Sequence, residues 1–177
     1  MDQMLIEIFQ DEIKRQSSFA LSSISNINYF FDSDDRTDAD YLWYYVQNFL
    51  TSSANVSKLL WGSNEKQNHS RKKLRESLKV REDSILFSKT LRNDFEHYDE
   101  RIERWFKESE RRNYIDSNIG PTGFIAGADP SDFLRNYDTT LNAVTFKGTV
   151  YELQPIVDEL LTLNMVVKKV INNRYNI

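Results

Sequence analysis

The sequence predicts a mainly α fold: a helical bundle of about four long helices, with a small β-hairpin before the C-terminal helix. Three observations lead there. Apolar residues recur at helical spacing through roughly the first 110 residues. Chain breakers are few, 5 glycines and 3 prolines in 177 residues, which favours long helices. One late stretch, "TLNAVTFKGTVYEL", instead alternates β-branched and aromatic residues around Lys147-Gly148. That pattern predicts two strands joined by a tight turn.

The first helix is expected over "MLIEIFQDEIKRQSSFALSSISNINYFF". Leu5, Ile8, Phe9, Ile13, Ala20, Ile24, Ile27 and Phe31 mark its apolar stripe. The acidic run "DSDDRTDAD" ends it and starts the next element, with Thr37 or Asp38 as N-cap. EF-hand chemistry is not expected there, because the loop glycine and terminal glutamate are missing.

The second helix is expected over "ADYLWYYVQNFLTSSANVSKLLWG". Its stripe is Leu42, Val46, Phe49, Leu50, Val56, Leu59 and Leu60, and Gly62 is a natural stop. Tyr41, Trp43, Tyr44 and Tyr45 widen its apolar surface. "SNEKQNHS" reads as a polar connection carrying His69, and "RKKLRESLKV" as a short basic helix. The basic run Arg71–Arg75, with Arg81, suits a solvated face or a nucleic-acid patch.

A further long helix is expected from about Asp83 to Arg111. Ile85, Leu86, Leu91, Phe95, Ile102, Trp105 and Phe106 form its buried side. After Arg112 the texture changes. "NYIDSNIGPTGFIAGADPSDF" holds Gly120, Gly123 and Gly127 and reads as loop or short strand. It lacks the lysine and strand–helix context of a phosphate loop. The closing helix, "QPIVDELLTLNMVVKKVINNRY", has Pro155 in its first turn. Ile156, Leu160, Leu163, Val167 and Val170 form its core face. The chain therefore reads as one helical domain over 1–177, with 113–153 as a loop and β-hairpin insertion.

Composition narrows the function classes. The absence of cysteine removes disulfides, zinc–thiolate sites and cysteine nucleophiles. The net charge of −4 argues against nonspecific duplex binding, which needs a basic excess. The N-terminus lacks the basic start and apolar run of a signal peptide. No apolar stretch approaches the ~20 residues of a membrane span. A cytoplasmic protein without membrane partners is the expectation.

The stretch richest in chemistry is "LRNDFEHYDERIERW", which carries one of only 2 histidines. On a straight helix Arg92 and His97 lie about 140° apart. Asn93 and His97 are i,i+4 neighbours, as are His97 and Arg101. Histidine moves protons near neutral pH, and arginine clamps phosphate through paired donors. Together they suit attack of a ribose 2′-hydroxyl on its own phosphodiester, without a metal. The other reading is an ordinary solvated helix, with Glu100–Arg104 and Glu103–Lys107 as i,i+4 pairs.

"RNDFEH" resembles the R-x4-6-H motif of the HEPN superfamily, and "YDER" adds to the likeness. The resemblance covers about 15 residues closely and the helical first two-thirds in outline. It implies an α-helical bundle that dimerises through its motif helices. Active members are metal-independent endoribonucleases, found among toxin–antitoxin, phage-defence and RNA-processing proteins. Others are non-catalytic binding forms. By that resemblance Arg92 and His97 would be catalytic and Asn93 supporting, with no metal and no cofactor. The partners would be RNA, a second copy of the chain, and an antitoxin or other protein. A site shared between two chains would reconcile the 140° divergence. Some toxin members carry a tyrosine two residues after the histidine, which a partner nucleotidyltransferase modifies. Here Tyr98 follows His97 directly and position 99 is Asp. Two readings stand: an HEPN-like endoribonuclease, and a non-catalytic helical module of that general fold.

Overall fold

The computed structural model describes residues 1–33, 38–88, 97–121 and 123–175. It is mainly helical and also contains a four-stranded mixed sheet. Six α-helices lie among the described residues: α1 (Gln3–Asp32), α2 (Ala39–Trp61), α3 (Glu65–Ser70), α4 (Lys72–Ser77), α5 (Tyr98–Glu108) and α6 (Gln154–Arg174). The strands are β1 (Asn118–Ile119), β2 (Arg135–Asp138), β3 (Ala143–Phe146) and β4 (Thr149–Glu152). No helix among the described residues is long and apolar enough to cross a membrane.

Three of the expected long helices form, as α1, α2 and α6. Their ends have local causes. Asp2 accepts from the Met4 N–H at the start of α1. Asp38, one of the two expected caps, accepts from the Tyr41 N–H at the start of α2. Gly62, with φ 72°, ends α2. The α1 and α2 helices run antiparallel: Phe30 stacks on Tyr41 at one end, and Asn55 donates to Gln16 further along. The α6 helix is also antiparallel to α1, since Asn164 bonds Ser17 and Arg174 reaches Gln10 and Asp11.

The buried stripe of α1 differs from the expected one. Leu5 and Ile8 are exposed, whereas Ile6, Gln10, Ile13, Ser17, Ala20, Ser23, Ile27 and Phe30 are buried. The spacings are threes and fours, and three of the eight are polar. Each polar member is satisfied, as burial requires. Gln10 donates to Ser77 (3.0 Å) and accepts from Arg174 (2.6 Å). Ser17 accepts from Asn164 (2.7 Å), and Ser23 donates to the Phe19 carbonyl (3.0 Å). Of the expected stripe, Ile13, Ala20 and Ile27 are buried and Phe9, Ile24 and Phe31 pack against the core, so ranking by hydrophobicity misses the polar members and misplaces Leu5 and Ile8.

The expected polar connection "SNEKQNHS" is in fact the short helix α3, capped by Asn64 and carrying an exposed His69. Half of the basic run after it serves the fold. Arg71 bonds the Lys58 and Leu59 carbonyls at the end of α2. Arg75, 3% exposed, bonds the Leu60 and Asn68 carbonyls and Glu82.

The long helix expected from Asp83 to Arg111 does not begin there. Residues 81–84 are turn and irregular chain, and Ile85–Phe87 is a single 3-10 turn. Local bonds compete with the helix. Arg81 pairs with Asp83, Ser84 accepts from the Leu86 N–H, and Glu159 accepts from the Ile85 N–H. The helix that does form, α5, starts at Tyr98. Leu86 and Trp105 are buried, while Ile85, Ile102 and Phe106 are exposed; Leu91 and Phe95 lie outside the described residues.

The expected hairpin forms as β3 and β4. Lys147 and Gly148 have φ of 46° and 78°, the two positive values of a type I′ turn. It belongs to a larger sheet of order β1-β2-β3-β4, with β1 parallel to β2 and the other pairs antiparallel. Asn118 donates to Asn136 across β1 and β2, and Asn136 donates to the Gly120 carbonyl. Phe31 packs on Tyr137, and the Trp43 indole donates to the Ser117 carbonyl, so the sheet seats on one end of the helices.

Truncation at α1 distinguishes the two stripes. Ile13→Ala is expected to lower unfolding stability by about 3 kcal/mol. Ile8→Ala, at a half-exposed position, is expected to cost less than about 1 kcal/mol. Urea denaturation of both variants checks this. Gly148→Leu is expected to cost about 1 kcal/mol or more, because φ 78° disfavours a side chain.

Candidate functional site

His97 stands at the entrance of α5, at its N-cap position. Its backbone, φ −105° and ψ 44°, is not helical, although its carbonyl already accepts from the Arg101 N–H. His97 therefore precedes the helix that carries Arg101 and Arg104. Arg92 and Asn93 lie outside the described residues. The His97 side chain is 53% exposed, and its Nδ1 is 3.6 Å from Glu100 Oε1. Asp99 and Glu100 occupy the first turn of α5. Acids there face the positive end of the helix dipole, which gives two of the negative charges around the histidine a structural reason.

The next residue, Tyr98, belongs to a polar cluster that the sequence did not reveal. Its hydroxyl donates to Asp116 (3.1 Å) and its ring lies 4.3 Å from the Arg135 guanidinium carbon. The other neighbour of that guanidinium is Trp43, at 5.3 Å. Arg135 clasps Asp116 with two donors, Nε to Oδ1 (2.9 Å) and Nη2 to Oδ2 (2.5 Å), and also reaches Ser117 (3.1 Å). Such a fork holds position as well as charge.

The electrostatics follow from this geometry. Burial pushes the Asp116 carboxyl up, but the bonds and charge of Arg135 outweigh it and leave the carboxyl below the usual aspartate range. Burial lowers Arg135, and Asp116 more than restores it. The Tyr98 hydroxyl is held well above the ordinary phenol value, chiefly by burial. It is thus a neutral donor committed to Asp116.

The arrangement has a clear division of labour. His97 is half exposed, with Glu100 beside its Nδ1. Arg135 is occupied by Asp116 and anchors the start of α5 rather than offering itself to phosphate. A signal for the cluster was faint in the sequence, because its members come from α2, α5, the residues before β1, and β2.

Replacing Arg135 with Leu leaves Asp116 without its ionic partner, held only by the Tyr98 and Ser117 hydroxyls. The expected loss is about 2–3 kcal/mol, less than for a fully enclosed pair because the two side chains are 18% and 14% exposed. The depressed Asp116 also fixes a pH dependence. Its contribution is complete above the ordinary aspartate value of ~3.9 and is lost as pH falls toward the lower folded value. Denaturation from about pH 6 to about pH 3 is expected to show a smaller fall in stability for Asp116→Asn than for the unaltered protein.

No family model, curated protein or solved structure matches the chain.

Proposed function

We propose that the chain is an HEPN-like, metal-independent endoribonuclease with a composite active site at a homodimer interface, acting as a toxin or defence component. The observation that carries this reading is the setting of His97. Its imidazole is 53% exposed at the entrance of α5, with Glu100 Oε1 at 3.6 Å from Nδ1. A carboxylate on that side favours the Nδ1–H tautomer and leaves Nε2 to face a substrate. Arg92, matched by the motif, stabilises charge on the scissile phosphate, and Asn93 supports the pair.

In this mechanism one His97 accepts the proton of a ribose 2′-hydroxyl. The oxygen attacks its own phosphorus, and the bond to the 5′-oxygen breaks. His97 of the second chain, protonated, supplies the leaving oxygen with its proton. A dimer provides both acid and base where one chain has a single histidine in the motif.

The second reading is a non-catalytic HEPN-like interaction or regulatory module. It is favoured by apolar side chains left in water near the sheet, with Phe124 80% and Phe106 52% exposed.

The test uses purified protein with RNA and excess EDTA. Unaltered protein is expected to cleave, and His97→Ala and Arg92→Ala to lose about 100-fold or more. Cleavage that survives both substitutions moves the active site elsewhere. Absence of cleavage by the unaltered protein, on any RNA, selects the interaction module. Sedimentation is expected to give a dimer.

A further inference from the structure

Among the described residues the sheet ends on β4, and β4 has an open side. The type I′ turn makes Phe146 and Thr149 a hydrogen-bonded pair, and bonding then alternates along the ladder. Lys147 N–H donates to the Leu134 carbonyl on the far side of β3, in the same phase. Thr149 and Tyr151 therefore turn their backbone groups toward β3. Val150 and Glu152 turn theirs outward. Among the described residues, no backbone bond outside the β3–β4 ladder involves either one. The strand reads Thr-Val-Tyr-Glu, with none of the prolines, lysines or bulges that commonly blunt an edge.

A cleft of about 340 Å³ lies against this edge. Val150, Tyr151 and Glu152 all line it. Successive side chains of a strand point to opposite faces, so the wall is the edge of β4 and not one of its faces. The opposite walls are mainly apolar, built from Leu50 and Ala54 of α2, Leu86, and Ile156 of α6, with Ser53, Ser57 and Ser88 set among them. Among the described residues, Glu152 is the only charged one in this lining.

We propose that β4 and this cleft dock an extended segment of a partner protein by strand addition. The outward N–H and C=O groups of Val150 and Glu152 pair with the backbone of the segment. The cleft takes one of its apolar side chains, and Glu152 faces a lysine or arginine of the segment. Main-chain bonds supply affinity in this mode, and the pocket supplies selectivity. A second copy of the chain is a poorer occupant. Pairing β4 with its own image brings the Glu152 carboxylates of both chains to one seam, with no basic side chain in the described lining to offset them. The proposal stands independently of catalysis at His97.

The probe is a short fluorescein-labelled peptide of alternating valine and lysine with one central phenylalanine, titrated against the full chain by fluorescence anisotropy. Its control is the same peptide N-methylated at alternate backbone positions, which keeps the charge and removes the strand-forming donors. The unaltered protein is expected to bind the first peptide and not the second. Glu152→Lys, at an exposed position, is expected to weaken binding roughly tenfold or more. Val150→Pro removes an outward donor without touching the ladder, and is expected to abolish binding while circular dichroism stays unchanged. Equal binding of both peptides, no binding of either, or full affinity in Glu152→Lys overturns the proposal. A dimer in solution that Val150→Pro converts to monomer also overturns it, by assigning the edge to a second copy.

Discussion

The end of the molecule that carries His97 depends on one cation. Arg135 extends from β2 between the rings of Trp43 and Tyr98 and holds Asp116 with two of its donors. In doing so it joins α2, α5, the approach to β1, and the sheet. A lysine in its place has no planar face for two rings and no fork for a carboxylate. The position of His97 follows from that clamp, because Tyr98 is its immediate neighbour. At its other end α5 is held by Trp105, whose indole donates to the Ser131 carbonyl and whose ring packs on Tyr114. The helix is thus pinned to the sheet side at both ends by aromatic residues, with its charged face left to solvent.

The helices were most legible where the sequence is most repetitive. The α2 and α6 stripes, the Asp38 cap, the Gly62 stop and the Lys147-Gly148 turn all follow from residue type and spacing. The α1 stripe was read only in part because its buried line includes Gln10 and Ser17, whose value lies in partners on α4 and α6 that spacing does not reveal, and Ser23, which bonds the Phe19 carbonyl of its own helix. β2 escaped notice for a related reason. Its "RNYD" shows no alternation, since Asn136, Tyr137 and Asp138 are all buried, Asn136 bonding Asn118 and Gly120 and Asp138 accepting from the Thr140 N–H. The candidate site was legible in one member only. A histidine among arginines is visible in a string of letters, whereas Trp43 bonds Ser117 across 74 residues.

The antiparallel seam of α1 and α6 has a consequence for how the chain reaches this state. Asn164 bonds Ser17 across 147 residues, and Arg174 reaches Gln10 across 164. Contacts this distant in sequence close late and slow folding, because a large loop must be ordered before they form. During synthesis the α1–α2 hairpin is complete long before α6 leaves the ribosome. Throughout that interval one flank of α1 has no cover. Filling that flank with Gln10, Ser17 and Ser18 rather than leucines keeps the waiting hairpin wettable, so the residues that lock the finished bundle also keep the nascent chain from sticking before its last helix arrives.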